Sequence, residues 1–239
     1  MLKTIKRSLA FLWKSFCYTL GVLFIALLLY QAWFAAHIWY WIDHNPETTS
    51  FMQARLDRLR EKNPGAKLKQ RWASYPRISE ELKRAVIVAE DAKFSEHDGF
   101  DWEGIQKALE KNQKRGRVVA GGSTISQQLA KNLFLSGQKN LWRKGQEALI
   151  TWMLEMLMEK ERILEIYLNV AEWGDGVFGA EAAARHYYNV SAAGLNAEQA
   201  ARLAAMLPRP LYYERKRDSE FLQRYSETIR ARMPAAQLP

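Results

Sequence analysis

Apolar and polar residues follow two distinct regimes along this chain. From Ser15 to Ile42 there is no Asp, Glu, Lys or Arg, and Phe16–Ala36 is almost continuously apolar. That exceeds the roughly 20 residues a helix needs to cross a bilayer core, and no polar stripe marks a solvent face. Beyond residue 49 the pattern becomes amphipathic. Leu82, Ala85, Val86 and Ala89 fall at i, i+3, i+4 and i+7, which predicts a helix that buries this face and carries Glu90 at its end. Ser79 is placed to cap it, with Glu80 and Glu81 in the first turn, where the helix dipole favours acids. Residues 49–62 read as a short charged helix stopped by Asn63-Pro64-Gly65, a juxtamembrane spacer with no chemistry. Asp101 is placed to cap a helix in which Trp102, Ile105, Ala108 and Leu109 share a face, and the basic stretch Lys111–Gly122 reads as a loop. A long apolar helix through Met158, the segment Lys160–Asn169, a helix Ala180–Tyr188 and a last one opened by Asn196 and Gln199 complete the reading. No alternating run of any length, internal repeat or low-complexity tract appears, so the expected class is mainly α. The expected division is a cytoplasmic N-terminus at 1–14, a transmembrane helix at 15–36, a juxtamembrane segment at 37–70 and one catalytic domain at 71–239.

Charge orients this picture. Lys3, Lys6, Arg7 and Lys14 precede the apolar stretch and the first acid is Asp43, so the N-terminus is expected in the cytoplasm and the rest outside. Trp33, Trp39, Tyr40 and Trp41 would form an interfacial belt at the outer edge. A cleaved signal peptide has an apolar region of about 7–15 residues and a small-residue cleavage site; this stretch is longer and runs into bulky aromatics, which favours an uncleaved anchor. The formal net charge is +9, with basic clusters at Lys111–Arg117 and Arg215–Arg217. For a domain outside the cell, anionic lipid or a phosphate-bearing substrate is a better partner than nucleic acid. Cys17 is the single cysteine, which rules out an intrachain disulfide or a thiolate zinc site, and His37, His44, His97 and His186 show no metal-ligand spacing.

Four segments could carry chemistry. The first, Ala89–Asp101, combines Glu90 and Asp91 with Phe94, His97 and Gly99; the plainer reading is a solvated helix end. In the second, Gly121–Asn132, two glycines precede Ser123 and Thr124, and Gln127, Gln128, Lys131 and Asn132 follow as donors. This could meet an oxyanion or could simply open a helix; P-loop spacing is missing. In the third, Arg143 and Lys144 lie four and three residues before Glu147. That is either a surface ion pair worth about 0.3–0.5 kcal/mol or an anion clamp. In the fourth, Glu165, Tyr167 and Asn169 interrupt an apolar helix and could brace the core or reach a cleft. Ser136–Lys139 matches an S-x-x-K motif, but its partner motifs are missing.

Taken together, these blocks resemble the peptidoglycan glycosyltransferases of glycosyltransferase family 51. E-D-x-x-F-x-x-H-x-G at 90–99, G-G-S-T-I-x-Q-Q-L-x-K-N at 121–132, R-K-x-x-E at 143–147 and K-x-x-I-L-E-x-Y-L-N at 160–169 are complete and in the family's order. The likeness runs from about Trp72 to Tyr213, and the tail beyond is too short for a transpeptidase, as in monofunctional members. The resemblance implies a lysozyme-like, two-lobed helical domain at the outer face of the bacterial inner membrane. It would polymerise lipid II onto a glycan chain carried by undecaprenyl diphosphate. It implies Glu90 as general base and Glu147 as the second essential glutamate, beside the donor diphosphate. Asp91, Phe94, His97 and Gly99 would position Glu90. Ser123, Thr124, Gln127, Gln128, Lys131, Asn132, Arg143, Lys144, Glu165, Tyr167 and Asn169 would bind substrate. Some members use Mg2+ or Mn2+ at the diphosphate; no metal ligand is assigned here. Other cell-wall synthesis or division proteins are further candidate partners. A lysozyme-type hydrolase would also use two carboxylates but has no need of three cations beside one of them. An inert anchored scaffold would have no need to keep Glu90 and the cations.

Overall fold

The computed structural model describes residues 2–117, 121–135 and 140–239. It is mainly helical, as expected. A single helix, α1 (Leu2–Asp43), contains the apolar stretch, and 33 of its residues, Phe11–Asp43, are apolar enough to cross a membrane. At 1.5 Å per residue it is about 60 Å long, roughly twice a bilayer core. The surplus is used for docking. No break occurs at residue 36, the expected end of the span; Phe34 and Ile38 are buried against the globular part. Gln31 and Gln146 exchange two amide hydrogen bonds, both 3.0 Å. Phe134 sits among the rings of Trp33, Phe34, His37 and Trp41, at 5.9, 5.1, 6.4 and 5.2 Å. Trp41 therefore packs inward, while Trp33, Trp39 and Tyr40 stay exposed as the belt requires. Arg162 closes the helix end by donating to the carbonyls of Trp41 and His44 and to Asn45 Oδ1.

The segment expected to be an idle spacer is structural. Thr49 caps α2 (Ser50–Lys62), which packs on α5 (Ile125–Phe134). Its Arg55 makes a two-pronged ion pair with Glu172, at 2.5 and 2.8 Å. A charged helix in sequence thus hides one cation that faces inward.

Two helical groups form the body. α3 (Glu80–Glu90) packs on α9 (Ala197–Met206), which packs on α11 (Glu220–Arg232). α5 packs on α6 (Leu141–Leu157) and α7 (Lys160–Val170). A small sheet has the order β1 (Lys69–Gln70), β3 (Val177–Phe178), β2 (Glu172–Gly174), with β1 parallel to β3 at Lys69↔Val177 and β2 antiparallel. α8 (Ala180–Tyr188) starts after Gly179, whose φ is +85° and whose Cβ would lie 2.7 Å from the Asn169 carbonyl; only glycine fits there. α10 (Pro210–Arg215) lies against β2.

Local caps follow the sequence: Ser79, Asp101 and Asn196 each accept the expected backbone N–H. One expectation about α4 (Trp102–Arg115) fails. The helix runs through Lys111–Arg115, expected as loop, because these are good helix formers and Gly116 at φ +62° supplies the stop. Of the four residues read as sharing a face, only Ala108 is buried; Trp102 and Leu109 are exposed. The S-x-x-K match at 136–139 lies outside the described residues.

The reciprocal pair between α1 and α6 has a measurable cost when broken. Gln31→Leu leaves the buried Gln146 amide without its partner and should cost about 1–3 kcal/mol. Thermal unfolding of the full chain in detergent reads this as a lowered Tm, and an unchanged Tm would show that the anchor is not docked.

Candidate active site

α3 stops at Glu90 because the next side chain is committed elsewhere. Asp91 leaves the helical region (φ −162°), its Oδ2 accepts the N–H of Ile125 at 3.0 Å and its Oδ1 accepts from His97 Nε2 at 2.9 Å. His97 Nδ1 in turn accepts the Gly99 N–H at 3.1 Å, which puts the ring proton on Nε2. Gly99 has φ +87°, and a Cβ there would lie 2.8 Å from Thr151 Cγ2. Its carbonyl accepts the Thr124 hydroxyl at 2.7 Å. The loop after Glu90 is therefore tied to the start of α5 at two points, Asp91 to Ile125 and Gly99 to Thr124.

Two residues expected to be free donors instead build that first turn. Thr124 Oγ1 accepts the Gln127 N–H at 3.2 Å and Gln127 Oε1 accepts the Thr124 N–H at 3.1 Å, a complete capping box. Ser123, just before it, is exposed. Gln128, Lys131 and Asn132 fall on one face of α5, three and four residues apart, and that face lines a cavity of about 410 Å³. Arg55, Tyr167, Glu172, Arg209 and Tyr212 line it as well. A smaller cavity of about 160 Å³ is lined by Glu90, Asp91, Gly121, Gly122, Ser123 and Thr124.

Glu90 is held by one amide. Gln128 Nε2 donates to its Oε2 at 2.6 Å, while Gln128 Oε1 accepts the Tyr167 hydroxyl at 3.1 Å, so the amide's orientation is fixed from behind. Glu90 Oε1 is shielded and has no protein hydrogen bond. Burial holds the Glu90 carboxyl above the ordinary glutamate range, against the Gln128 hydrogen bond and the Lys131 charge, with Asp91 adding to the rise. Burial pushes the Lys131 ammonium below the ordinary lysine range. Glu147 and Glu90 act against this, while Arg143 and Lys144 add to it. Lys131 makes no hydrogen bond or ion pair with any described residue, so its charge faces the cleft uncommitted.

Asn140 caps α6, and the following turn assembles the third block as spaced in the sequence. Arg143 Nη1 contacts Glu147 Oε2 at 3.0 Å, Lys144 Nζ contacts Oε1, and Glu147 is only 4% exposed. Three cations, Lys131, Arg143 and Lys144, and two carboxylates, Glu90 and Glu147, are thus coupled electrostatically around Lys131, while Arg55, Arg209 and Glu172 also line the larger cavity.

Other residues proposed from the sequence lie elsewhere. Glu165 accepts from Trp72 Nε1 and pairs with Arg162, both at 3.1 Å. Asn169 brackets the Ala73 backbone with two bonds of 2.8 Å. Both brace the chain leading into α3 and do not join the Glu90 cluster. Phe94 is fully buried. Sequence reasoning missed Arg55, Glu172 and Arg209. No spacing signal separates them from ordinary surface charge.

A family model described as Transglycosylase matches residues 57–234. The chain belongs to the transglycosylase family. Curated relatives named biosynthetic peptidoglycan transglycosylase agree. The one from Laribacter hongkongensis is 57% identical over the full length of both chains. That from Methylobacillus flagellatus is 61% identical over 90% of this chain and 94% of its own. That from Dechloromonas aromatica is 63% identical over 89% and 92%. The match begins inside α2, in keeping with that helix being part of the transglycosylase body.

Among the described residues, the transglycosylase cleft offers no ready-made cage of side chains for a divalent metal. Among the described residues no three His, Cys, Asp or Glu side chains converge, and both Glu147 oxygens are taken by Arg143 and Lys144.

Gly99→Ala tests the stitched loop. A side chain forced into φ > 0 costs about 1–3 kcal/mol, and the Thr151 contact adds to it. Chemical denaturation should show the loss. Equal stability of Gly99→Ala and the parent would contradict the tight packing of this turn.

Proposed function

We propose that this transglycosylase joins lipid II units into β-1,4-linked glycan strands and releases undecaprenyl diphosphate. The observation that carries the reading is the pairing of a shielded, proton-accepting Glu90 with an uncommitted Lys131 beside the Arg143–Lys144–Glu147 cluster. Glu90 Oε1 takes the proton from the acceptor sugar's 4-hydroxyl as that oxygen attacks the donor's anomeric carbon. The new C–O bond forms as the bond from that carbon to the diphosphate oxygen breaks, and the α-linked donor becomes a β-linked product. Negative charge grows on the departing diphosphate, where preorganised cations in a sheltered cleft give the largest stabilisation. Lys131, Arg143 and Lys144 supply it, and Gln128 and Asn132 add neutral donors. Glu147 holds Arg143 and Lys144 in place. The donor occupies the larger cavity and the acceptor approaches through the smaller one, so that Glu90 stands between them.

On this reading α1 crosses the bacterial inner membrane with its N-terminus in the cytoplasm, in line with Lys3, Lys6, Arg7 and Lys14 before it. The docking of its outer turns then holds the cleft at the membrane surface, where lipid-linked substrates present their diphosphates.

Two experiments test this. Glu90→Gln should cut lipid II polymerisation by about 10²–10⁴-fold, the usual contribution of a positioned base. Because burial raises the folded-state pKa of Glu90, its contribution to stability is full below the unfolded value and is lost as pH rises through the folded one. The same variant should therefore show an equal or higher Tm at neutral pH. Parental turnover in Glu90→Gln would sink the base assignment. In the parent, the rate should fall on acidification at a pH above the ordinary glutamate range, as Glu90 protonates. It should fall again on the alkaline side below the ordinary lysine range, as Lys131 loses its charge. Lys131→Met should remove the alkaline limb along with most of the rate, and retention of that limb would assign it elsewhere.

A further inference from the structure

Lys160 and Glu155 each oppose the dipole of the helix they sit on. Glu155 lies in the last turn of α6, where an acid is disfavoured, and Lys160 opens α7, where a cation is disfavoured. Neither placement serves its own helix. What they serve is visible in their contacts. Lys160 Nζ pairs with Glu155 at 2.9 Å, donates to the His97 carbonyl at 2.5 Å, and lies 4.6 Å from the centre of the Phe94 ring. Glu155 also accepts the hydroxyl of Ser126, a fully buried residue in the first turn of α5. Its Cγ would lie 3.0 Å from a Cβ on Gly99. The Glu155 carboxylate is 6% exposed and the Lys160 side chain 20%, so the pair is largely removed from water.

Two of Lys160's three partners, Phe94 and the His97 backbone, belong to the loop that follows Glu90. The third, Glu155, reaches the helix that carries Gln128 and Lys131. We propose that Lys160 is a positioning residue for Glu90. It fixes the 91–99 loop to α5 and α6, so that Asp91 meets the Ile125 N–H and Glu90 meets Gln128. It touches neither substrate nor Glu90 and acts through the loop. The inference rests on Glu90 being the base.

A simple loss of stability is separated from loss of position by removing the charges together. Lys160→Met alone strands the buried Glu155 carboxylate and should lower Tm. The double variant Glu155→Gln, Lys160→Met removes that stranded charge and should regain most of the Tm. Yet its kcat for lipid II polymerisation by the full-length protein should remain down by at least about tenfold, with KM within about twofold, because a misplaced base costs turnover and not binding. The acid limb of its pH–rate profile should also shift, since the surroundings of Glu90 change. Lys160→Arg, which keeps the charge and the ring contact, should recover part of the rate. Parental kcat in the double variant at parental Tm would overturn the proposal, as would a loss carried by KM alone. Glu90→Gln in the same assay keeps the two readings apart. If it retains turnover the base assignment fails, whatever Lys160 does. If it is dead while the double variant is fully active, only the positioning role fails.

Discussion

The Asp91 carboxylate joins the end of α3 to the start of α5, and the geometry of the cleft depends on that junction. One oxygen takes a backbone N–H that α5 would otherwise leave without a partner, and the other fixes the imidazole of His97. Through this clamp two helices from different packing groups are set in register. One ends on a carboxylate, and the other presents an amide and an ammonium three residues apart. Gly99, Thr124 and the Glu155–Lys160 pair serve the same junction from the far side of the loop. The blocks that stand out in the sequence as separate motifs are thus parts of one joint.

The joint maintains an arrangement that is unfavourable in isolation. Glu90 is half-buried with one shielded oxygen unpaired, and Lys131 is half-buried with no acid contacting it among the described residues. On the proposed reading, folding energy from the apolar core is spent on holding a base and a cation ready before any substrate arrives. The ionised forms are costly in the empty cleft, and they become favourable when a hydroxyl proton and a diphosphate are present. Docking of α1, a candidate membrane span, extends the logic, because the Gln31–Gln146 pair fixes that helix one residue away from Glu147.

Local signals were the most legible in the sequence. Caps at Ser79, Asp101 and Asn196, and the Arg143–Lys144–Glu147 spacing, depend on neighbours within one helical turn, and they form as read. The four motif blocks also indicated the family and the mainly helical class. Interactions between distant segments were not legible. Gln31 is one polar residue in an apolar run, and Arg55 one of several cations on a charged helix; only the fold shows that each has a buried partner. Thr124 and Gln127 were ambiguous for another reason, since a capping box and a cluster of ligand donors use the same side chains. α4 shows the limit of periodicity, because Trp102, Ile105, Ala108 and Leu109 share a face as their spacing says, yet the spacing does not tell that the fold buries only Ala108 of them.

The central claim is that the fold holds Glu90 as a shielded carboxylate whose affinity for a proton is raised toward working pH. Its side-chain carboxyl can be followed directly by carbon NMR on selectively labelled full-length protein in detergent, with Glu90→Gln used to identify the signal. A midpoint clearly above the ordinary glutamate value is predicted, moving further up when Gln128 is replaced by Met, since that removes the hydrogen bond that favours the ionised form. A midpoint at or below the ordinary value, or one indifferent to Gln128, would contradict the account.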